Sequence, residues 1–537
     1  MITKKNLPAD GLAGLKENFS KDALSGFLVF LLALPLSLGI AKASDFPAIF
    51  GLVTAIIGGV VVSFLAGSKL TIKGPAAGLI VIASGAVTAF GAGEIGWKLA
   101  LGAIVVAGLI QVLFGLLKLG SFADFFPNAA IHGMLAAIGI IIMSKQVHSL
   151  LGIDPKILKG KEPFELIAMI PQSLQHENAH LTEIGLACLA ILTILSLVKN
   201  RRVKKIPPPL VVLVVAIPLG LALHIKTENT ISNFSLVKIG NIFDNFKGGL
   251  INADFSGMWQ NTGVFIQYVI LFALIGSIES LLTAKAIDGL DPYKRKSNFN
   301  QDLIAVGLGN AIAGLLGGLP MISEVARSSA NVSNGAQTRW ANFFHGLFLL
   351  LAVLFAVPFI EMIPNAALAA MLLFVGFRLA HPREFGHMAH IGKGQLFIFV
   401  STILVTLSTD LLVGVGSGIL LELVLNIING APVHSIFKST IRYQKESDTV
   451  FHVFVADVLI FSNNAGLKKI MANIPATATA HIHFDQCKLI DHSSLVLLHS
   501  LEIDFKNAGG KIHTEGLAAH KHLGHDSRST FKLKAND

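Results

Sequence analysis

Five hundred and thirty-seven residues would fill three or four soluble domains, but 53% are hydrophobic, only 14% are charged, and the mean hydropathy is +0.67. A soluble surface needs roughly a quarter of its residues charged, so a large soluble enzyme is excluded. The 42 Lys and Arg against 33 Asp and Glu leave +9, which in so apolar a chain points to cytoplasmic loops rather than to nucleic acid. Cys188 and Cys487 form neither a disulfide framework nor a CxxC metal motif. The chain reads as a polytopic α-helical membrane protein.

Residues 1–22 are polar, carry Lys4, Lys5, Lys16 and Lys21, and read as a cytoplasmic arm rather than a cleavable signal. Spans of about 20 apolar residues are needed to cross a bilayer core of about 30 Å. Clear runs lie at 24–43, 48–66, 99–117, 131–144, 184–198, 208–224, 264–286, 303–318, 344–360 and 366–377. The stretch 396–428 is long enough for two spans meeting at a polar turn around Asp410. Two segments are irregular: 74–92, opening on Gly74-Pro75, and 323–332, short and charged. Basic residues gather in the arm, at 199–205, at 294–296 and at 378–393. All four face the cytoplasm only if both irregular segments count as spans, which predicts fourteen spans with both termini cytoplasmic. The membrane part is then 23–431.

Pro127-Asn128-Ala129-Ala130 recurs as Pro364-Asn365-Ala366-Ala367, and Leu38–Ala43 aligns with the six residues 281–286 at a similar displacement. Seven spans separate the copies, so the second is inverted, giving repeats of about 23–224 and 263–430. The irregular segments occupy matching places. Each reads as a half-helix beginning inside the membrane, the two positive dipole ends facing one another as an anion site made from backbone.

Ionisable groups at membrane depth need a reason. Glu279 stands mid-span with Thr283 one turn on, a pair suited to sodium coordination, proton carriage or a substrate hydrogen bond. Glu324 and Arg327, three residues apart, either pair with each other or divide between proton and anion. Lys73 reads as a loop cation before the first half-helix, and His132 and His345 as helix-packing residues. His513, His520, His522 and His525 read as a solvated tail. With no metalloprotease motif, phosphate loop or nucleophile elbow, the chain is expected to be neither an enzyme nor an ATP-driven pump, and to need no cofactor beyond a coupling ion, Na⁺ or H⁺.

After Pro432 the pattern changes: strands are predicted at 450–459, 478–484 and 511–517, and helices at 465–474 and 493–506, the second ended by Gly509-Gly510. This small α/β segment, with Leu489-Ile490-Asp491-His492-Ser493-Ser494-Leu495 between strand and helix, resembles the STAS domain, placed at 440–537. The membrane part resembles the SulP (sulfate permease, solute carrier 26) anion transporters through Ala33-Leu34-Pro35, Gly74-Pro75, Pro320 with Arg327-Ser328, and Asp410-Leu411-Leu412-Val413-Gly414.

That resemblance implies seven-plus-seven inverted repeats split into core and gate, a homodimer in the cell membrane (a bacterial inner membrane), and vertical movement of core against gate. It places the substrate at Pro35, Leu36, Pro75, Ala76, Ser323, Glu324, Val325 and Arg327, and cation coupling at Glu279, Thr283 and Glu324, with Glu279 and Thr283 the candidate Na⁺ ligands. The chain departs from the family at Leu36, where many members carry Gln, at Glu324, where many carry Ser or Ala, and at Ala76 and Val325, where sodium-dependent members carry hydroxyls. His492 follows Asp491 where phosphorylatable regulators carry Ser, which argues against phosphorylation at Ser493. The expected function is secondary transport of a small inorganic anion, bicarbonate ahead of sulfate and then dicarboxylate, with H⁺ or Na⁺ symport. The alternative of another class is a non-cycling anion-binding receptor or scaffold that recruits a cytoplasmic protein through STAS; a passive anion channel is a third reading.

Overall fold

The computed structural model describes residues 7–120, 126–158, 161–198, 200, 207–225, 235–239, 251–293, 295–409 and 411–534. The basic residues Lys4, Lys5, Lys199, Arg201, Arg202, Lys204, Lys205 and Lys294, and the expected turn residue Asp410, lie outside them. The chain forms two compact units, Met1–Gly120 with Ile138–Arg378, and Ser121–Ala137 with Leu379–Asp537.

In the first unit, α1 (Gly11–Ala43) and α2 (Ala48–Ile57) lead to a short strand, β1 (Lys73–Pro75), and then to α3 (Ile80–Ala89). Helices α4 (Gly93–Leu116), α5 (Asn128–Leu150, its residues up to Ala137 belonging to the second unit), α6 (Pro163–Gln175), α7 (Ala179–Leu197) and α8 (Pro208–Ala222) complete the first half. The second half repeats the plan with α9 (Thr262–Leu290), α10 (Phe299–Leu315), strand β2 (Met321–Ser323), α11 (Val325–Ser333), α12 (Trp340–Phe355) and α13 (Asn365–Leu379). Among the described residues, eight helices are long and apolar enough to cross a membrane and four shorter apolar ones accompany them. With α10 and α11, these fall on the fourteen predicted segments.

Two differences have local causes. Residues 11–22, expected as part of a polar arm, are helical and continuous with the first span as the first turns of α1, begun where Asp10 accepts the N–H of Gly11 at 3.1 Å. Asp22 is fully buried and accepts from the backbone N–H of Gln337 at 2.7 Å and the hydroxyl of Thr338 at 2.5 Å. The polar residues that masked this helix are therefore its anchors. The amphipathic α6, which hydropathy does not single out, is opened by a capping box between Glu162 and Glu165.

Small residues set the helix spacing, as membrane packing requires. A side-chain carbon on Gly59 would fall 2.5 Å from Gly346 Cα, so the continuation of α2 and α12 touch backbone to backbone. There α2 loosens into a π-turn, Gly58–Val62, and the carbonyl of Gly58 is taken up by Asn342 Nδ2 at 3.0 Å.

The second unit holds α14 (Pro382–Ile391), α15 (Lys393–Ser408), α16 (Leu411–Ile428) and a C-terminal sheet. That sheet runs β3 (Thr440–Lys445), β4 (Val450–Leu459), β5 (Thr479–Ile490), β8 (Phe531–Leu533), β7 (His520–His522), with β6 (Lys511–Glu515) also beside β5. Strand β5 is parallel to β4 and β6 and antiparallel to β8. Phe451, Val453, Ile482 and Phe484 form one apolar face against α17 (Asn464–Met471) and α18 (His492–Ala508). Asp491 starts α18 by accepting the N–H of Ser494 at 2.8 Å, and Gly509 ends it at φ 97°. This is the small α/β domain expected from the STAS resemblance.

Strands β3, β7 and β8 add to the three predicted ones, and the four histidines belong to the folded domain rather than to a tail: His513, His522 and His525 are exposed, as expected, and His520 is buried. His513 lies on β6, and His520 is buried with its ring 2.6 Å from the Cys487 carbonyl. His522 packs on Phe531 and His525 on His390.

Candidate functional site

The two irregular segments meet. Strands β1 and β2 pair antiparallel, Lys73 opposite Ser323, Gly74 opposite Ile322 and Pro75 opposite Met321. Equivalent pieces of the two halves thus run in opposite directions, the hand expected of inverted repeats. Backbone groups inside a membrane must be satisfied by protein, which is why two broken helices pair here. On the outer edge of β2, Asn310 imitates a further strand, Oδ1 accepting from Met321 N at 2.6 Å and Nδ2 donating to Met321 O at 3.1 Å. Ile72 N donates to Ser328 Oγ and Glu324 N to Ile72 O, both at 2.9 Å.

Each strand turns into a helix pointing away from the pair. Ala76 is extended, and a single 3₁₀ turn, Ala77–Leu79, precedes α3. Glu324 is the extended N-cap of α11 and makes no side-chain bond to its own helix. Its Oε1 instead accepts the backbone N–H of Ala77 at 3.3 Å. Each half-helix start therefore faces the other, and the acid of one caps the first free N–H of its counterpart.

This corrects one of the two readings of Glu324. It does not bond to Arg327: Nε, Nη1 and Nη2 of Arg327 have no hydrogen-bond partner, although the residue is fully buried. The cause is position. As N-cap, Glu324 projects outside the helix that carries Arg327 inward. Arg327 lies instead against Gly74, where an added side-chain carbon would be 2.5 Å from Nη1.

Glu279, on α9, is buried, and its Oε1 lacks a partner. It stands against the start of α3: a side-chain carbon on Gly78 would lie 2.2 Å from Oε1. Thr283 is buried one turn further along α9. Pro75, Ala76, Ser323, Glu324, Arg327 and Glu279 are thereby gathered around the strand pair. Pro35 is buried within α1, whereas Leu36 is partly buried against the apolar cluster that includes Ala367, Ala370 and Met371. Val325 is 52% exposed. Among the described residues no group of three or more His, Cys, Asp or Glu could hold a metal ion.

Lys73 is not a loop cation. It is fully buried, and Nζ lies 2.9 and 2.8 Å from the two carboxylate oxygens of Asp302. Asp302 and Ser280, which take part in the same network, were missed because Asp302 precedes the apolar run that marks its span. His132 pairs with Glu384 at 3.2 Å, and His345 is buried with both ring nitrogens unbonded.

Residues 19–402 match the family model described as the sulfate permease family. A relative described as the putative sulfate transporter YvdB of Bacillus subtilis is 27% identical over 509 residues, covering 93% of this chain and 92% of that protein. The bicarbonate transporter BicA of Picosynechococcus is 28% identical over 418 residues, covering 76% and 70%. The inward-facing structure of the murine anion transporter Slc26a9 superposes with a TM-score of 0.66 at 16% identity, covering 96% of this chain and 90% of that one. The matched model, the transporters on either side of it and the strand-paired half-helices agree: the chain belongs to the sulfate permease family of membrane-embedded anion transporters and is not an enzyme.

Proposed function

We propose that this protein is a secondary active transporter that takes up bicarbonate in preference to sulfate, driven by symport of H⁺, with Na⁺ as the alternative coupling ion. The observation that carries this reading is the buried, unpartnered guanidinium of Arg327 at the paired half-helix starts, with Glu279 alongside. Lys73 and Asp302 cancel one another. Arg327 and two helix ends of about +0.5 each then supply about +2 against two acids. A monovalent anion leaves about one negative charge to be neutralised, and sulfate leaves about two. A proton on Glu279 meets the first demand. Glu324 strengthens this reading, because its carboxylate holds an N–H that an arriving anion would use.

In this reading the strand-paired segments move vertically against the rest of a homodimer in a bacterial cell membrane. Both termini are cytoplasmic, and the C-terminal domain serves assembly or regulation through a protein partner rather than binding substrate. The test is uptake of labelled bicarbonate and sulfate into proteoliposomes under separately imposed H⁺ and Na⁺ gradients. Accumulation of bicarbonate with a proton gradient, lost in Glu279→Gln while anion exchange persists, is the expected result. Transport of neither anion removes the reading. Accumulation by Glu279→Gln in step with the gradient removes the coupling role.

A further inference from the structure

Two cations are fully buried around the strand pair, and they are in opposite states. Arg327 has no hydrogen-bond partner, whereas the Lys73 ammonium is surrounded by four side-chain oxygens. These are Asp302 Oδ1 at 2.9 Å, Asp302 Oδ2 at 2.8 Å, Ser323 Oγ at 2.5 Å and Ser68 Oγ at 3.1 Å. Three N–H groups facing four acceptors leave nothing for a substrate. A carboxylate presenting both oxygens, with two hydroxyls, is the hard-oxygen donor set that binds metal cations as readily as an ammonium.

The cage also has a structural reach. Ser68 belongs to the loop before β1, Lys73 to β1, Ser323 to β2 and Asp302 to α10. Ser323 passes the connection on to α9, since its Oγ lies 3.1 Å from Ser280 Oγ and its N–H donates to that oxygen at 3.2 Å. Ser280 is the neighbour of Glu279. One positive charge therefore holds both broken helices and the helix carrying Glu279.

We propose that Asp302, Ser68 and Ser323 form a monovalent-cation site that the chain fills with its own tethered ammonium, Lys73. This cation is fixed rather than transported, and Lys73 is a positioning residue for the cradle that holds Arg327 and Glu279. Without Lys73, Asp302 would keep the bonds from Ser68 N, Ser68 Oγ and Ser323 Oγ but lose its counter-charge. A buried uncompensated charge is strongly destabilising, so an emptied cage should acquire a need for a free cation.

Lys73→Ala tests this, because n-propylammonium restores the three carbons and the ammonium that the truncation removes. Two readouts are taken: the thermal unfolding midpoint, and exchange of labelled anion between equal concentrations, with added cation on both sides of the vesicle. Only the exchange readout rests on the anion-transport reading. Lys73→Ala should lower the midpoint and slow exchange by about tenfold or more. n-Propylammonium, ammonium or Na⁺ should restore both, whereas choline, which has no N–H and is too large, should not. The double variant Lys73→Ala with Asp302→Ala should respond to none of them. Lys73→Gln fills the space without the charge and should stay impaired whatever is added.

Wild-type behaviour of Lys73→Ala or Lys73→Gln overturns the proposal. So does a folded Lys73→Ala that no small cation moves, or a double variant that responds equally. If Lys73→Ala folds only when n-propylammonium is supplied, the proposal is supported; if it fails even then, it is overturned. Wild-type protein that exchanges no anion removes the transport reading and leaves the midpoint to decide the cage.

Discussion

Arg327 is seated on the bare backbone of Gly74, so close that a side-chain carbon there would meet Nη1 at 2.5 Å. The atom displaced is the end of a flexible side chain, so Gly74→Ala should fold normally while moving the one unpartnered cation of the cradle. Its apparent anion affinity is expected to fall about tenfold, the worth of a hydrogen bond to a charged group. Binding titration alongside thermal unfolding checks this. Unchanged affinity would mean that the anion does not use Arg327.

Gly78 stands in the same relation to Glu279, whose carboxylate carbon would be 2.6 Å from an added side-chain carbon. Gly78→Ala should push that carboxylate away from the start of α3 and reproduce the uncoupling expected of Glu279→Gln. Comparison of gradient-driven accumulation with equilibrium exchange is the measurement. Normal accumulation by Gly78→Ala would separate Glu279 from the coupling step.

If the anion binds at the half-helix starts as proposed, the bond from Ala77 N to Glu324 Oε1 puts a carboxylate where a substrate oxygen would bind. Glu324→Gln keeps an acceptor and removes the charge. It should bind anion a few-fold more tightly at neutral pH than the unaltered protein. Weaker binding would show that Glu324 assists the anion rather than competing with it.

In the C-terminal domain, burial holds His492 below the ordinary histidine value of 6.5, opposed by its bond to the Arg528 carbonyl at 2.7 Å. Below 6.5 the unfolded chain binds more protons at this ring than the folded one. Its contribution to stability is therefore full above 6.5 and is lost as pH falls through that value toward the folded one. Amide protection around 526–530, corrected for the pH dependence of intrinsic exchange, should fall on acidification across that window, and His492→Gln should flatten the dependence. An identical acid response in the variant would assign the effect to another group.

The half-helices were legible because Gly74-Pro75 and Ser323-Glu324 interrupt otherwise apolar runs, and their mid-membrane charges stand out against composition. What lay between them was not. Lys73 and Asp302 are 229 residues apart, and no spacing rule links them. Helical spacing of three suggested that Glu324 and Arg327 pair, but that rule holds within a helix, and Glu324 is outside it. Strands β7 and β8 have three residues each, too few for alternation to register. The first turns of α1 looked like an arm because residues such as Asp22 that fix them are polar.

The ladder joining β1 to β2 fastens the two broken helices to each other, with further links through Ile72 to Ser328 and Glu324. Neither helix can swing aside without breaking those links, so in the proposed vertical movement the cradle would keep one shape whichever side of the bilayer it opened to. On that reading an anion would meet the same cradle from within and from without. The site itself would then have no preferred direction, and any net flow would be imposed by the concentrations and the potential across the membrane.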